Sequence, residues 1–144
     1  MKPRTEIYSI DANVILRYVL EDDPRLFAKA REILLGVQSG HTVVICDPVN
    51  LAEVVWVLES FYKLTNEQIC EGLLPIINPE GFILPDKEHY LLALRLFAGG
   101  VKSFGDACAC AAALRDCDGR LYSFDAKLSN VPGIARSESV PGAE

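Results

Sequence analysis

Apolar residues along this chain fall into short β-branched runs separated by longer stretches of helical spacing. Ile7 to Ile10 form a mostly apolar run that suits a strand buried on both faces. Asp11 comes just past it, and Val14, Ile15, Tyr18 and Val19 then recur along one side of a helix. Glu21-Asp22-Asp23-Pro24 marks a break, with Pro24 fitted to the first turn of a second helix. That helix carries Leu26, Phe27, Ala30, Ile33, Leu34 and Val37 and stops near Gly36 to Gly40. Val43 to Cys46 is a second strand candidate. Asp47-Pro48 after it is a strong helix start, a capping Asp followed by Pro at the first helical position. The helix from Val49 to Tyr62 is apolar nearly all round, and its early polar residues, Asn50 and Glu53, stand three apart on one face. Thr65 and Gln68 have the spacing of a capping box and open a fourth helix. Phe82 to Leu84 is a third strand, and Asp86 to Ala98 a fifth helix burying Tyr90, Leu91, Leu94 and Phe97. Ser103 to Asp106 then opens a helix of small residues that can approach a sheet closely. Leu121 to Phe124 is a fourth strand, followed by Asp125, and one more short edge strand is expected around Ile134.

Strands alternating with helices predict an α/β fold with a mostly parallel sheet. At 144 residues one domain is expected. We place it at residues 1–136, with 137–144 as a flexible tail. Five cysteines in no framework spacing read as small, reduced core residues. Cys108 and Cys110, two apart on a helix, make a poor metal pair. The two histidines, His41 and His89, fit no ligand spacing, which argues against zinc chemistry and a histidine triad. No apolar run is long enough to cross a bilayer, and the first residues lack a signal-peptide core, so a cytoplasmic protein is expected.

Net charge is −6, which at first argues against nucleic acid. Four acids change that reading: Asp11, Glu53, Asp106 and Asp125 each follow a strand or lie near a helix start. In a parallel sheet with right-handed crossovers those positions share one edge. Removing four of the 20 acids leaves 16 against 14 bases, a nearly balanced surface. Clustered carboxylates repel, and a divalent cation relieves the repulsion. An all-oxygen donor set favours Mg²⁺ or Mn²⁺. Water activated by such an ion can attack a phosphodiester. Two of the acids also have a plainer reading. Asp11 suits the N-cap of its helix, and Ser103-x-x-Asp106 resembles a capping box.

Ile10-Asp11-Ala12-Asn13-Val14-Ile15-Leu16-Arg17-Tyr18 with Asp22-Asp23-Pro24, Asn50-Leu51-Ala52-Glu53, Phe104-Gly105-Asp106-Ala107 and Ser123-Phe124-Asp125-Ala126-Lys127-Leu128 resemble the motifs of PIN-domain ribonucleases. The closest branch is the VapC-like toxins of toxin–antitoxin pairs. The resemblance spans about residues 6 to 136. It implies a three-layer α/β/α PIN-like fold with a central, mostly parallel sheet of four or five strands. It also implies a metal-dependent endoribonuclease that forms a homodimer and is inhibited by a cognate antitoxin protein. Carried over, Asp11 and Asp106 are direct metal ligands, and Glu53 and Asp125 complete the cluster directly or through water. Asn13 and Ser123 orient a carboxylate or water. Two departures stand out: Leu51-Ala52 replaces a segment that often carries a hydroxyl, and the run after Asp106 is unusually small and cysteine-containing. Neither removes a ligand.

Other readings fare worse. A haloacid-dehalogenase-type phosphatase needs a second Asp where Asn13 stands, and a receiver-type module needs an acidic pair at the end of the first strand. The main alternative is a catalytically inactive PIN-like module that binds RNA or a protein partner. Arg17, Lys102, Arg120 and Lys127 are candidate phosphate contacts or ordinary surface charges.

Overall fold

The computed structural model describes residues 6–142. The first residues of the sequence and the end of the expected tail therefore lie outside it. The chain forms two compact units, residues 1–87 and 88–144. Among the described residues there are six α-helices and five strands, every strand pair being parallel, as the expected α/β class requires.

The first unit contains β1 (Ile7–Ser9), α1 (Ala12–Leu20), α2 (Pro24–Ser39), β2 (Val43–Ile45), α3 (Pro48–Ser60), α4 (Asn66–Ile77) and β3 (Phe82–Ile83). Its helix starts are set locally. Asp23 accepts N–H bonds from Arg25 and Leu26 and Asp47 from Val49, each ahead of a proline in the first turn. Thr65 and Gln68 make the reciprocal capping box in full. The sheet order is β1-β2-β3. Register places Tyr8, Val44 and Phe82 on one face, where Val44 and Phe82 are buried. Leu51, Val54, Val55 and Leu58 of α3 and Ile69 and Leu73 of α4 complete this unit's core.

The expectation that the first strand is buried on both faces needs correction. Hydrogen bonding joins β1 to β2 alone in its sheet, so β2 is the middle strand and β1 an edge. Ile7 is 60 % and Tyr8 57 % exposed. An apolar run is compatible with an edge strand, because hydrophobicity reports side-chain preference and not the number of hydrogen-bonded neighbours. The opposite face of this sheet also leaves Ile45 and Ile83 partly exposed.

The second unit contains most of α5 (Lys87–Ala98), then α6 (Phe104–Asp116), β4 (Arg120–Tyr122), a 3₁₀ turn at Ala126–Asn130 and β5 (Ala135–Ser137). Leu91, Leu94 and Phe97 of α5 are buried as the spacing required, while Tyr90 is only half-buried. Phe97 meets Phe104 edge-on. Small residues let α6 pack closely, with Ala107, Cys110 and Ala111 fully buried. Within this unit β4 pairs with β5 in parallel. Gly119 opens this pairing at φ +80°, and a Cβ there would overlap the Gly133 carbonyl oxygen. Only glycine serves at that crossing.

Candidate active site

Asp11 stands between β1 and α1 and does what the plainer reading asked of it. Its Oδ1 accepts the backbone N–H groups of Asn13 (3.1 Å) and Val14 (3.3 Å). A third N–H of that first turn, from Ala12, donates to Asn50 Oδ1 of α3 at 3.1 Å. Three of the orphaned donors at the start of α1 are thus satisfied by side-chain oxygens. The arrangement leaves Asp11 Oδ2 with no hydrogen bond among the described residues, on an exposed carboxylate. Asn50 therefore ties the Glu53 helix to the residue beside Asp11. Sequence reasoning noticed Asn50 only as a polar partner of Glu53. Its signal was a lone amide in the first turn of an apolar helix.

Glu53 lies one turn beyond Asn50 on the same helix. It is exposed and has no hydrogen-bond or ion-pair partner among the described residues. The buried stripe of α3 runs through Leu51, Val54, Val55 and Leu58, so Glu53 falls on the opposite, open stripe with Ala52 and Trp56. Asn13 is exposed in the first turn of α1, and its backbone serves the Asp11 cap.

In the second unit Ser103 caps α6 by accepting the Asp106 N–H at 3.1 Å. Only the Ser half of the capping box forms, so the half-buried Asp106 carboxylate is not engaged at the helix end. Asp125 follows β4 less directly than expected. The strand ends at Tyr122, and Asp125 caps the 3₁₀ turn through Lys127 N–H at 3.0 Å. Ser123 Oγ accepts the Asp125 N–H at 3.0 Å, which fixes the carboxylate's backbone. Sequence reasoning missed Arg136 on β5. Its Nε donates to Ser129 Oγ and its guanidinium to the Ser123 carbonyl, both at 2.8 Å, and it pairs with Glu138 at 3.1 Å. Its only signal was a lone cation between small residues of an edge strand.

Asp11 and Glu53 belong to the first unit, Asp106 and Asp125 to the second. Among the described residues none of the four enters a salt bridge, and all supply oxygen, the donor type that a hard divalent ion prefers. Among the described residues no group of three or more His, Cys, Asp or Glu is gathered closely enough to hold a metal ion.

Of the four candidate phosphate contacts, Arg17 is committed elsewhere. It bonds Asp22 at 2.6 Å, and hydrogen bonding to Tyr62, then the charge of Asp22, raise its pKa further against the opposing pull of burial. Arg120 lies 3.7 Å from Asp118, while Lys102 and Lys127 are exposed. The cysteines are free thiols, as expected. Burial pushes Cys46 and Cys108 up to about 11, suppressing their thiolates. Cys117 departs from the expected core position. It caps the end of α6 in an exposed turn, where the helix's buried stripe has ended.

A family model for the PIN domain matches residues 8–134, and the chain belongs to that family. PIN domains are generally metal-dependent nucleases that use divalent ions. Comparison with curated proteins and with solved structures returns no match for this chain. No helix among the described residues is long and apolar enough to cross a membrane.

Proposed function

We propose that this protein is a Mg²⁺- or Mn²⁺-dependent endoribonuclease acting as the toxin of a type II toxin–antitoxin pair. Membership of the PIN family carries the reading. Its support in the chain is four carboxylates, Asp11 and Asp125 each just after a strand, Asp106 in the first turn of α6 and Glu53 in the second turn of α3, with no ion pair to any of them among the described residues. On this reading Asp11 and Asp106 hold the divalent ion directly, and Glu53 and Asp125 hold it directly or through water. Asn13 and Ser123 orient those groups. The ion, when bound, lowers the pKa of a coordinated water and stabilises charge on a phosphoryl oxygen. RNA is the substrate, a small antitoxin the inhibitor, and a cytoplasmic homodimer the working form, with residues 1–136 as the nuclease domain.

Purified protein should cut RNA with Mn²⁺ and stop in EDTA. Asp11→Asn and Asp106→Asn should each lower the rate at least 100-fold, about 2.7 kcal/mol of barrier. Retention of full activity by either variant would remove the shared-ion reading. The alternative is a PIN-like module that binds RNA or a protein partner without cutting it. RNA left intact with Mn²⁺ across a broad panel of structured substrates, at undiminished RNA affinity, selects that alternative.

A further inference from the structure

Beyond the acids, the second unit contains a cleft of about 290 Å³ at the carboxyl ends of β4 and β5. Its walls include Tyr122 and Phe124, which are 64 % and 87 % exposed. Large aromatic side chains held this far into solvent on a short strand and its bend gain nothing from the core. Between them Ser123 Oγ accepts the Asp125 N–H, leaving its own hydroxyl proton to donate. Across the cleft stands Glu138. Arg136, itself only 18 % exposed, grips the Ser123 carbonyl, Ser129 Oγ and Glu138 Oε1 together. From outside the cleft that clamp fixes two of its lining residues, Ser123 and Glu138, and orients a carboxylate with acceptor capacity left over.

We propose that this cleft takes one unpaired RNA base beside Asp125, stacked on Phe124 or Tyr122, and prefers guanine. The inference rests on the reading of RNA as substrate. Stacking on exposed aromatics suits any base and is the common device for single strands. The preference comes from the carboxylate, which can only accept. Guanine offers two adjacent donors, N1–H and the N2 amino group, on one edge, whereas adenine offers one amino group beside an acceptor nitrogen. Arg136 offsets the Glu138 charge that would otherwise repel the backbone.

The test uses the full chain and fluorescein-labelled RNA octamers of seven uridines with a single internal guanosine, adenosine or inosine, which do not pair with themselves. Binding is measured by polarisation in EDTA, so that affinity is read without cleavage. The guanosine octamer should bind about tenfold tighter than the adenosine one, with inosine between them, as expected for a two-point base contact. Glu138→Gln should abolish that preference. Phe124→Ala should weaken all three octamers by about 5- to 150-fold, the range for losing a base–aromatic stack. Phe124→Trp should retain binding and serves as the folding control. Equal affinity for the guanosine and adenosine octamers, or no effect of Glu138→Gln, overturns the inference. So does a Phe124→Ala variant that changes sedimentation but not RNA affinity, which would mark the cleft as a contact between copies. Cleavage with Mn²⁺ is scored separately: RNA cut without these dependences refutes the base cleft alone, and selective binding without cutting refutes the nuclease reading alone.

Discussion

Replacing Asn50 by Ala removes one hydrogen bond and leaves the Ala12 N–H at the start of α1 without its acceptor. Ala12 is buried, so water replaces the lost partner poorly. The bond itself contributes about 0.5–1.5 kcal/mol, and an unsatisfied buried donor costs about 1–3 kcal/mol. A loss of about 2 kcal/mol is expected for the first unit. At roughly 1–3 kcal/mol per molar urea, its unfolding midpoint should fall by about 1 M. The chain's single tryptophan, Trp56, lies on α3, so its fluorescence follows the unit in question. Asn50→Asp keeps an acceptor oxygen at the same place and adds negative charge at a helix N-terminus, where it is tolerated. It should recover most of the midpoint. The reasoning is refuted if Asn50→Ala unfolds at the parent midpoint, or if Asn50→Asp is as unstable as Asn50→Ala.

Four further outcomes are expected. Asp11→Asn keeps a capping oxygen and should melt within about 0.5 kcal/mol of the parent, whereas Asp11→Ala should lose about 1 kcal/mol more, as urea titration of both will show. Gly119→Ala combines a left-handed backbone with a Cβ driven onto the Gly133 carbonyl and should cost at least about 2 kcal/mol. Hydrogen exchange of the Ala135 amide, which donates to Gly119 O at 2.8 Å, should quicken with it; unchanged protection would contradict the close crossing. The Cys46 and Cys108 thiols titrate at about 11 in the fold and near 9 without it, so the folded state holds protons longer. Their contribution is intact below pH 9 and is lost as pH rises towards 11, so stability should decline across that window. At pH 8 iodoacetamide should label exposed Cys117 well before Cys46, and equal rates by mass spectrometry would be the contrary result.

Helix starts were legible because they are local chemistry. Asp23-Pro24, Asp47-Pro48 and Thr65-x-x-Gln68 each carry their own acceptor, and each caps the helix it precedes. The α/β class and the PIN motifs were legible for a related reason, since apolar periodicity and motif spacing survive in one dimension. The rank of β1 in its sheet was not. An apolar tetrapeptide looks the same whether one neighbour or two bond to it, and only pairing across the chain made β2 the middle strand. The same limit hid Arg136, whose bonds reach back seven and thirteen residues, and the bond from Asn50 to Ala12 over 38.

Residue order alone settled where helices begin, which acids stand at their thresholds and which family the chain joins. Tertiary folding decided what those acids do with their oxygens: Asp11 spends one on a cap, Asp125 spends one on a turn, and Glu53 spends none. The division has a physical cause. Capping and periodicity act over three or four residues, whereas strand pairing and side-chain hydrogen bonds act between segments whose separation along the chain leaves no trace in composition.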